Sequence, residues 1–185
     1  LDTNPNVEQF WLSYVEALVI AERQKDAKQA IKKAKEKGFD AKKLEKLLSQ
    51  SPRGSESGAE VHFNLGNTLY LQGRLSEAEA SYGQAIALKP DYAEAHYNSG
   101  VVKQALGRLS EAEASYSQAV ALKPDYVDAH YNSGIVKQAL GRLCGAEASY
   151  KQAIALNPDH AEIHFNLGNT LLGLGKVQGA EASYN

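Results

Sequence analysis

The sequence predicts an all-α solenoid built from antiparallel helix pairs, and its internal repetition is the main reason. Residues 93–126 return almost verbatim at residues 127–160, with 25 of 34 positions identical. A looser copy at 59–92 precedes them, and a truncated copy at 161–185 follows. One unit of this size cannot bury its own apolar face, so the copies are expected to stack on one another.

Glycine and proline divide each copy into two helices. The first helix should run from about the first position to the fourteenth and end at a glycine in a left-handed conformation. The second should end before a proline, which interrupts a helix and restricts the residue before it. The glycines are Gly73, Gly107, Gly141 and Gly175, and the prolines are Pro90, Pro124 and Pro158.

Polar pairs three residues apart predict the helix starts as capping boxes. For first helices the pairs are Asp91 with Glu94, Asp125 with Asp128, and Asp159 with Glu162. For second helices they are Ser76 with Glu79 and Ser110 with Glu113. In the third copy Cys144 replaces the capping serine, so we expect that helix start to be weaker by about 1 kcal/mol.

The first 50 residues are predicted to form a degenerate helical hairpin followed by an extra helix. Apolar residues recur at helical spacing from Glu8 to Lys37, with a break around residues 21–25 and a stop at Gly38. Residues 41–50 form a third amphipathic segment. The Ser-, Gly- and Pro-rich residues 51–58 are predicted to be a linker, and residues 59–185 to be the repeat array.

Composition favours a folded chain without a strong electrostatic partner. Hydrophobic residues make up 43% of the chain and the net charge is −2, which argues against nucleic acid or an anionic membrane surface as partner. No apolar run approaches the ~20 residues of a membrane-spanning helix, and no signal peptide pattern appears. We therefore expect a soluble protein, with the cytoplasm slightly favoured. Because the sequence lacks an initiator Met and stops within a repeat, we expect it to be part of a longer protein.

The repeated residues resemble the tetratricopeptide repeat family. We call residues 59–92 repeat 1, 93–126 repeat 2, 127–160 repeat 3 and 161–185 the partial repeat 4. The family's packing positions are filled in all of them. In repeat 1 these positions are His62, Leu65, Gly66, Leu69, Ala78, Tyr82, Ala85 and Pro90. The resemblance implies a right-handed superhelical solenoid that binds peptides or proteins. Residues 8–41 resemble a degenerate copy. Polar residues depart from the pattern at usually apolar places: Ser99, Ser133, Lys103 and Lys137.

A finer resemblance concerns the segments HYNSG, HFNLG and ALKPDY. They are similar to the superhelical repeats of O-linked N-acetylglucosamine transferases and their bacterial relatives. Those repeats carry an asparagine in each first helix, and this ladder lines the concave face and holds peptide backbone. The matching residues are Asn64, Asn98, Asn132 and Asn166. No transferase catalytic domain is found in this sequence.

These asparagines are the candidate peptide-binding residues, joined by Asn67 on the same helix face. Asparagine lowers helix propensity, whereas its amide offers one acceptor and two donors that suit a peptide group. The alternative is that each asparagine bonds to the neighbouring repeat. The preceding aromatic residues point about 100° away and either flank the groove or pack as core: Phe63, Tyr97, Tyr131 and Phe165.

Other reactive side chains predict no catalytic or metal site and no cofactor. His62, His96, His130 and His164 fall once per repeat, roughly 10 Å apart, whereas ligands of one zinc ion lie about 2 Å from it. We expect these histidines to be structural and Cys144 to be incidental. Some tetratricopeptide domains clamp acidic chaperone tails with basic residues on their first helices; here the corresponding residues are Glu60, Glu94, Asp128 and Glu162.

The sequence therefore predicts a non-catalytic scaffold that binds an extended peptide or protein segment in its concave groove. Two alternatives remain open. The chain is the substrate-recruiting arm of a larger glycosyltransferase-type enzyme, or it self-associates through the exposed end of the array.

Overall fold

The computed structural model describes residues 5–20, 24–49 and 58–184, and every regular element in these ranges is an α-helix. The predicted all-α class is therefore confirmed. Two compact units, Leu1–Pro90 and Asp91–Asn185, divide the chain. The helices are α1 Pro5–Ile20, α2 Gln24–Glu36, α3 Ala41–Ser49, α4 Gly58–Leu71, α5 Leu75–Leu88, α6 Ala93–Ala105, α7 Leu109–Leu122, α8 Val127–Ala139, α9 Leu143–Leu156, α10 Ala161–Gly173 and α11 Val177–Tyr184.

The first unit joins the N-terminal helices to repeat 1. Helices α1 and α2 pack together as the sequence predicts, α3 covers α1, and α4 packs on α1 and pairs with α5. Trp11, Leu18, Ile31 and Leu44 are buried between the N-terminal helices. Of the predicted linker, residues 51–57 lie outside the described ranges, so the predicted domain division stays a prediction.

The second unit contains three helix pairs, α6 with α7, α8 with α9, and α10 with α11. Each second helix also packs on the first helix of the next pair, α7 on α8 and α9 on α10. The buried residues that join these layers include Tyr116 with Val136, and Tyr150 with Ile163. This contact pattern is the stacking that the 34-residue period predicts.

The predicted glycine stops are confirmed. Gly73, Gly107, Gly141 and Gly175 have φ between +72° and +75°, and Gly38 has φ +86°. At Gly107 the chain closes the helix with a bond from the Arg108 N–H to the Lys103 carbonyl, 2.9 Å. A bond of this span back to the third-last helical residue is the Schellman motif, which needs the left-handed residue that glycine supplies.

The predicted capping residues are wrong, because packing decides the helix starts. Helix α6 begins at Ala93 with Tyr92 as N-cap and no side-chain cap bond; α8 and α10 begin the same way after Tyr126 and His160. Two of these rings, Tyr126 and His160, pack on an aromatic ring of the preceding first helix. The Tyr126 ring lies 4.8 Å from the Tyr97 ring, measured between centroids. The aspartates that the sequence suggests as caps therefore lie one residue before the N-cap position.

Second helices start earlier than the serines imply. Helices α5, α7 and α9 follow Arg74, Arg108 and Arg142 as N-cap residues without side-chain caps. Cys144 lies within α9 and is exposed, one residue after the Leu143 start. The expected weakening at Cys144 consequently has no structural basis, since the equivalent serines do not cap either.

Lysine stems explain two departures from the family pattern. Lys103 occupies the place of Leu69 in repeat 1, and its Nζ donates to the Ser115 hydroxyl at 2.9 Å across the helix pair. Lys137 makes the same bond to Ser149. Ser99 and Ser133 are buried, 4% and 3% exposed. The polar residues therefore pack within the repeat, as lysine can when its stem lies on apolar surface and its ammonium reaches a partner.

Candidate peptide-binding surface

The candidate asparagines of the second unit lie at the sixth position of α6, α8 and α10 and are half-buried. The Asn132 Nδ2 donates to the Tyr97 hydroxyl at 2.9 Å, and the Asn166 Nδ2 donates to the Tyr131 hydroxyl at 2.9 Å. Both bonds join one repeat to the preceding one, which is the alternative that the sequence leaves open. Among the described residues neither Oδ1 atom has a bonded partner, so both remain available as acceptors.

Aromatic rings pack beside the asparagines. Tyr97 lies 5.7 Å from Tyr116, and Tyr131 lies 6.1 Å from Tyr150 and 5.8 Å from His160, measured between ring centroids. The rings of Tyr97 and Tyr131 are half-buried, so they pack at the edge of the core while their hydroxyls bond to the asparagines. At the equivalent place in repeat 4, Phe165 is 57% exposed.

The tyrosine hydroxyls stay protonated at neutral pH. Burial, together with the neighbouring Glu162 carboxylate, raises the pKa of Tyr131 to about 12, and the Asn166 bond opposes this shift. Burial also raises the pKa of Tyr126 well above its ordinary value. Each phenol therefore has one proton to donate and an oxygen that accepts.

Carboxylates line the N-terminal ends of the first helices. Glu94 pairs with Lys123 at 3.4 Å, and the same ammonium lies 4.9 Å from the centre of the Tyr126 ring. Asp128 and Glu162 occupy the equivalent places in repeats 3 and 4 and are exposed. This part of the surface is acidic, and a carboxylate at a helix N-terminus is favourable to the helix as well.

In the first unit, Asn64 and Phe63 are half-buried, and Asn67 couples the helices of repeat 1. The Tyr82 hydroxyl donates to the Asn67 Oδ1 at 2.8 Å. In repeats 2 and 3 the equivalent tyrosines, Tyr116 and Tyr150, donate instead to glutamines three positions later, Gln104 at 2.8 Å and Gln138 at 2.9 Å. The sequence analysis did not identify these glutamines. The signal was present, because repeat 1 has an asparagine at its ninth position, whereas repeats 2 and 3 have an apolar residue there and a glutamine at the twelfth.

Two of the histidines bond a first helix to the loop before it. His130 Nε2 lies 2.9 Å from the Pro124 carbonyl, and His164 Nε2 lies 2.7 Å from the Pro158 carbonyl. A carbonyl only accepts, so Nε2 carries the proton in both rings. These bonds give both residues a structural role. In the part of the chain that is described, no group of three or more His, Cys, Asp or Glu is arranged to hold a metal ion.

The family assignment follows from three matches along the array. A family model described as "TPR repeat" matches residues 66–107, 105–141 and 138–175. The chain belongs to the tetratricopeptide repeat family. No curated protein sequence matches it. Within the described ranges, no helix combines the length and the apolar character that crossing a membrane requires.

Solved structures of tetratricopeptide proteins have the same fold. A crystal structure of MamA is 24% identical, covers 88% of this chain and 87% of its own, and has a TM-score of 0.68. The first TPR domain of Spaghetti (RPAP3), bound to the HSP90 peptide SRMEEVD, is 26% identical over 63% of this chain and 93% of its own, with a TM-score of 0.62. The Arabidopsis OM64 TPR domain is 23% identical over 62% and 95%, with a TM-score of 0.60.

Proposed function

We propose that this tetratricopeptide protein is a non-catalytic scaffold that binds an extended peptide or protein segment along the first helices of the second unit, in a concave groove. The availability of amide groups on Asn132 and Asn166 is the observation that carries the proposal. Each amide retains one Nδ2 hydrogen and its Oδ1, the donor and acceptor that a peptide C=O and N–H require. Asn98 occupies the same place in α6, and Asn64 in α4 of the first unit.

A sequence-tolerant ligand fits this chemistry. The amides repeat once per 34 residues and address backbone groups, which every peptide carries. The half-buried rings of Tyr97 and Tyr131, together with the exposed Phe165, supply apolar surface beside them. Backbone bonds would give the common grip, and the rings and carboxylates would select among side chains.

Charge distinguishes the expected ligand from the peptide in the RPAP3 complex. That peptide, SRMEEVD, contains consecutive glutamates. Here Glu94, Asp128 and Glu162 occupy the N-terminal ends of the first helices, so an acidic peptide meets like charge. We expect neutral or basic segments to bind and SRMEEVD to bind at least tenfold more weakly than a matched peptide with Lys in place of both glutamates, measured by fluorescence anisotropy at low salt.

The asparagine surface is tested by a pull-down followed by affinity measurement on any captured segment. Asn98→Ala with Asn132→Ala should weaken binding by about 1 kcal/mol per lost bond, roughly fivefold each. Gln118→Ala and Gln152→Ala are matched controls, because they remove exposed amides from second helices. Equal affinity of the asparagine variant and the parent chain would exclude this surface.

Two other functions have a specific observation behind them. The transferase-like HYNSG and HFNLG segments favour a substrate-recruiting arm, and the presence or absence of a transferase catalytic domain in the same gene would decide this. Self-association is favoured by apolar residues exposed in repeat 4, namely Phe165, Leu172, Val177 and Tyr184. Light scattering over a concentration series separates a monomer from such a dimer.

A further inference from the structure

In repeat 2 the chain binds one of its own ammonium groups. The Lys123 Nζ lies 3.4 Å from the Glu94 carboxylate and 4.9 Å from the centre of the Tyr126 ring. The Tyr126 ring packs on Tyr97, with the centroids 4.8 Å apart and an interplanar angle of 38°. A carboxylate and the face of an aromatic ring both attract a cation. This cluster is therefore an occupied cation site, and its occupant is a lysine side chain.

Repeat 3 has the same frame of backbone and rings. The C-cap residue of its second helix has φ −139° and ψ 86°, against −134° and 87° in repeat 2, and the N-cap residue that follows has φ −83° and ψ 90°, against −81° and 88°. The ring pair is Tyr131 with His160, at a centroid distance of 5.8 Å and an interplanar angle of 37°. The Tyr131 hydroxyl accepts a bond from Asn166 Nδ2, as the equivalent hydroxyl does in repeat 2.

The ammonium group is the part that repeat 3 lacks. Its thirty-first residue is Asn157, whereas repeats 1 and 2 have Lys89 and Lys123 there. An asparagine side chain is uncharged and two atoms shorter than lysine. Asp128 stands in the place of Glu94 and is exposed, and no ion pair joins it to another residue that the structure describes. The cation site of repeat 2 thus recurs in repeat 3 without an internal cation.

We propose that Asp128, Tyr131 and His160 form a binding site for a lysine side chain of a bound peptide or protein segment. This inference rests on the proposed function, because it names one side chain that the surface accepts. The ligand ammonium takes the place of the Lys123 Nζ, beside the carboxylate and the His160 ring. A neutral imidazole also has an acceptor nitrogen for an ammonium hydrogen, and the Tyr131 ring offers apolar surface to the lysine stem.

An NMR titration of the ¹⁵N-labelled full chain tests this site. The probe is acetyl-Ala-Lys-Ala-amide, and the comparison is the same peptide with norleucine, which keeps the stem and lacks the ammonium. The lysine peptide should shift the backbone signals of Asp128 and Asn157 and bind roughly fivefold more tightly at low salt, as one exposed ion pair and one ring contact allow. The preference should decline at high salt.

Two results of this titration would overturn the proposal. One is equal binding of the lysine and norleucine peptides, which would leave backbone binding by the asparagines intact. The other is the absence of lysine-dependent shifts at Asp128. The asparagine substitutions described above test the proposed function by themselves, so its failure is distinguishable from the failure of the lysine site.

Filling the site from within provides a second test. Asn157→Lys recreates the arrangement of Lys123 with Glu94, so it should reduce binding of the lysine peptide to the level of the norleucine peptide. Asn157→Gln is the matched control, because its side chain is longer but uncharged, and it should keep the preference. An undiminished preference for lysine in Asn157→Lys would contradict the proposal.

Emptying the equivalent site in repeat 2 provides the converse test. Lys123→Asn should create new lysine-dependent shifts at Glu94 and Tyr126. Lys151→Asn is the control, because it removes another lysine that pairs with a carboxylate, Glu147 at 2.8 Å, and it should create none. If Lys123→Asn gains no lysine-dependent shift, or if both variants gain the same one, the frame of carboxylate and rings does not select a cation.

Discussion

The eighth residue of every repeat is a glycine, and its lack of a side chain lets the two helices of a pair pack closely. A Cβ atom added to Gly66 would lie 2.5 Å from Tyr82 Cε1, and one added to Gly100 would lie 2.7 Å from Tyr116 Cε1. Tyr82 and Tyr116 are buried, 1% and 0% exposed. The glycine thus makes room for the ring that fills the pair.

Two alanine substitutions within repeat 1 should have opposite effects. Gly66→Ala should destabilise the fold by about 1–3 kcal/mol, because the buried Tyr82 ring must shift. Gly83→Ala is the control: its Cβ meets no atom within 4 Å, and alanine favours an exposed helix by about 0.5–1 kcal/mol. Urea unfolding measures both. A Gly66→Ala protein as stable as Gly83→Ala would contradict the packing.

The hydroxyl of the buried tyrosine in each pair donates to a side-chain amide. That amide is Asn67 in repeat 1 and Gln104 in repeat 2, three positions later in the repeat. Gln104→Leu should cost about 1–3 kcal/mol, because it leaves the Tyr116 hydroxyl without its acceptor. Adding Val101→Asn recreates the arrangement of Asn67 with Tyr82 and should restore most of the stability. Thermal unfolding of the single and double variants checks this. Failure of Val101→Asn to improve the Gln104→Leu protein would show that the two positions are not equivalent.

At the scale of the helix, the basic residue before each second helix forms an ion pair in every repeat. In repeats 1 and 2 the arginine before the second helix pairs within its first turn, Arg74 with Glu77 at 2.5 Å and Arg108 with Glu111 at 3.6 Å. In repeats 3 and 4 glycine replaces that glutamate, as Gly145 and Gly179. In these two repeats the basic residue pairs with a carboxylate of the preceding repeat, Arg142 with Glu113 and Lys176 with Glu147 at 2.6 Å.

Glu147 should therefore add pH-dependent stability between repeats 3 and 4. Hydrogen bonds from Lys151 and Lys176 lower the pKa of its carboxyl. A lowered folded-state pKa stabilises the protein above the ordinary pKa of the carboxyl, and this contribution disappears as the pH falls through the folded-state value. Glu147→Gln should cost about 0.5–1 kcal/mol at pH 7 and less at pH 3.

The control for this pair is Glu111→Gln, whose carboxylate is 55% exposed and lies 3.6 Å from Arg108. It should change stability by only a few tenths of a kcal/mol. Urea unfolding at both pH values provides the comparison. A Glu147→Gln effect that stays constant with pH would show that ion pairing is not its cause.

Sequence patterns predicted the helix ends better than the helix starts. A left-handed glycine or a proline acts through its own backbone, so Gly107 and Pro124 could be identified without knowing their surroundings. The starts depend on packing onto the preceding first helix, as Tyr126 packing on Tyr97 shows. The asparagines could be located in the sequence, but their bonds to Tyr97 and Tyr131 could not. The sequence of one repeat does not show which of its residues will face a given residue of the next repeat.

At the scale of the whole molecule, stability should vary along the second unit. Each helix pair is stabilised by its neighbours, and α11 packs on α10 with Ala180 as its buried residue. Hydrogen exchange should be about tenfold or more faster in α11 than in α9, which packs against both α8 and α10. Uniform exchange rates across α8 to α11 would indicate that the unit opens all at once.

The contacts between repeats also bear on how such a gene changes length. Asn132 with Tyr97 and Asn166 with Tyr131 are the same contact, made one 34-residue period apart. The ion pairs of Arg142 with Glu113 and of Lys176 with Glu147 repeat at the same interval. Unequal recombination that adds or removes one such period would therefore join surfaces that already match. For these contacts to form at the new junction, no compensating mutation is needed.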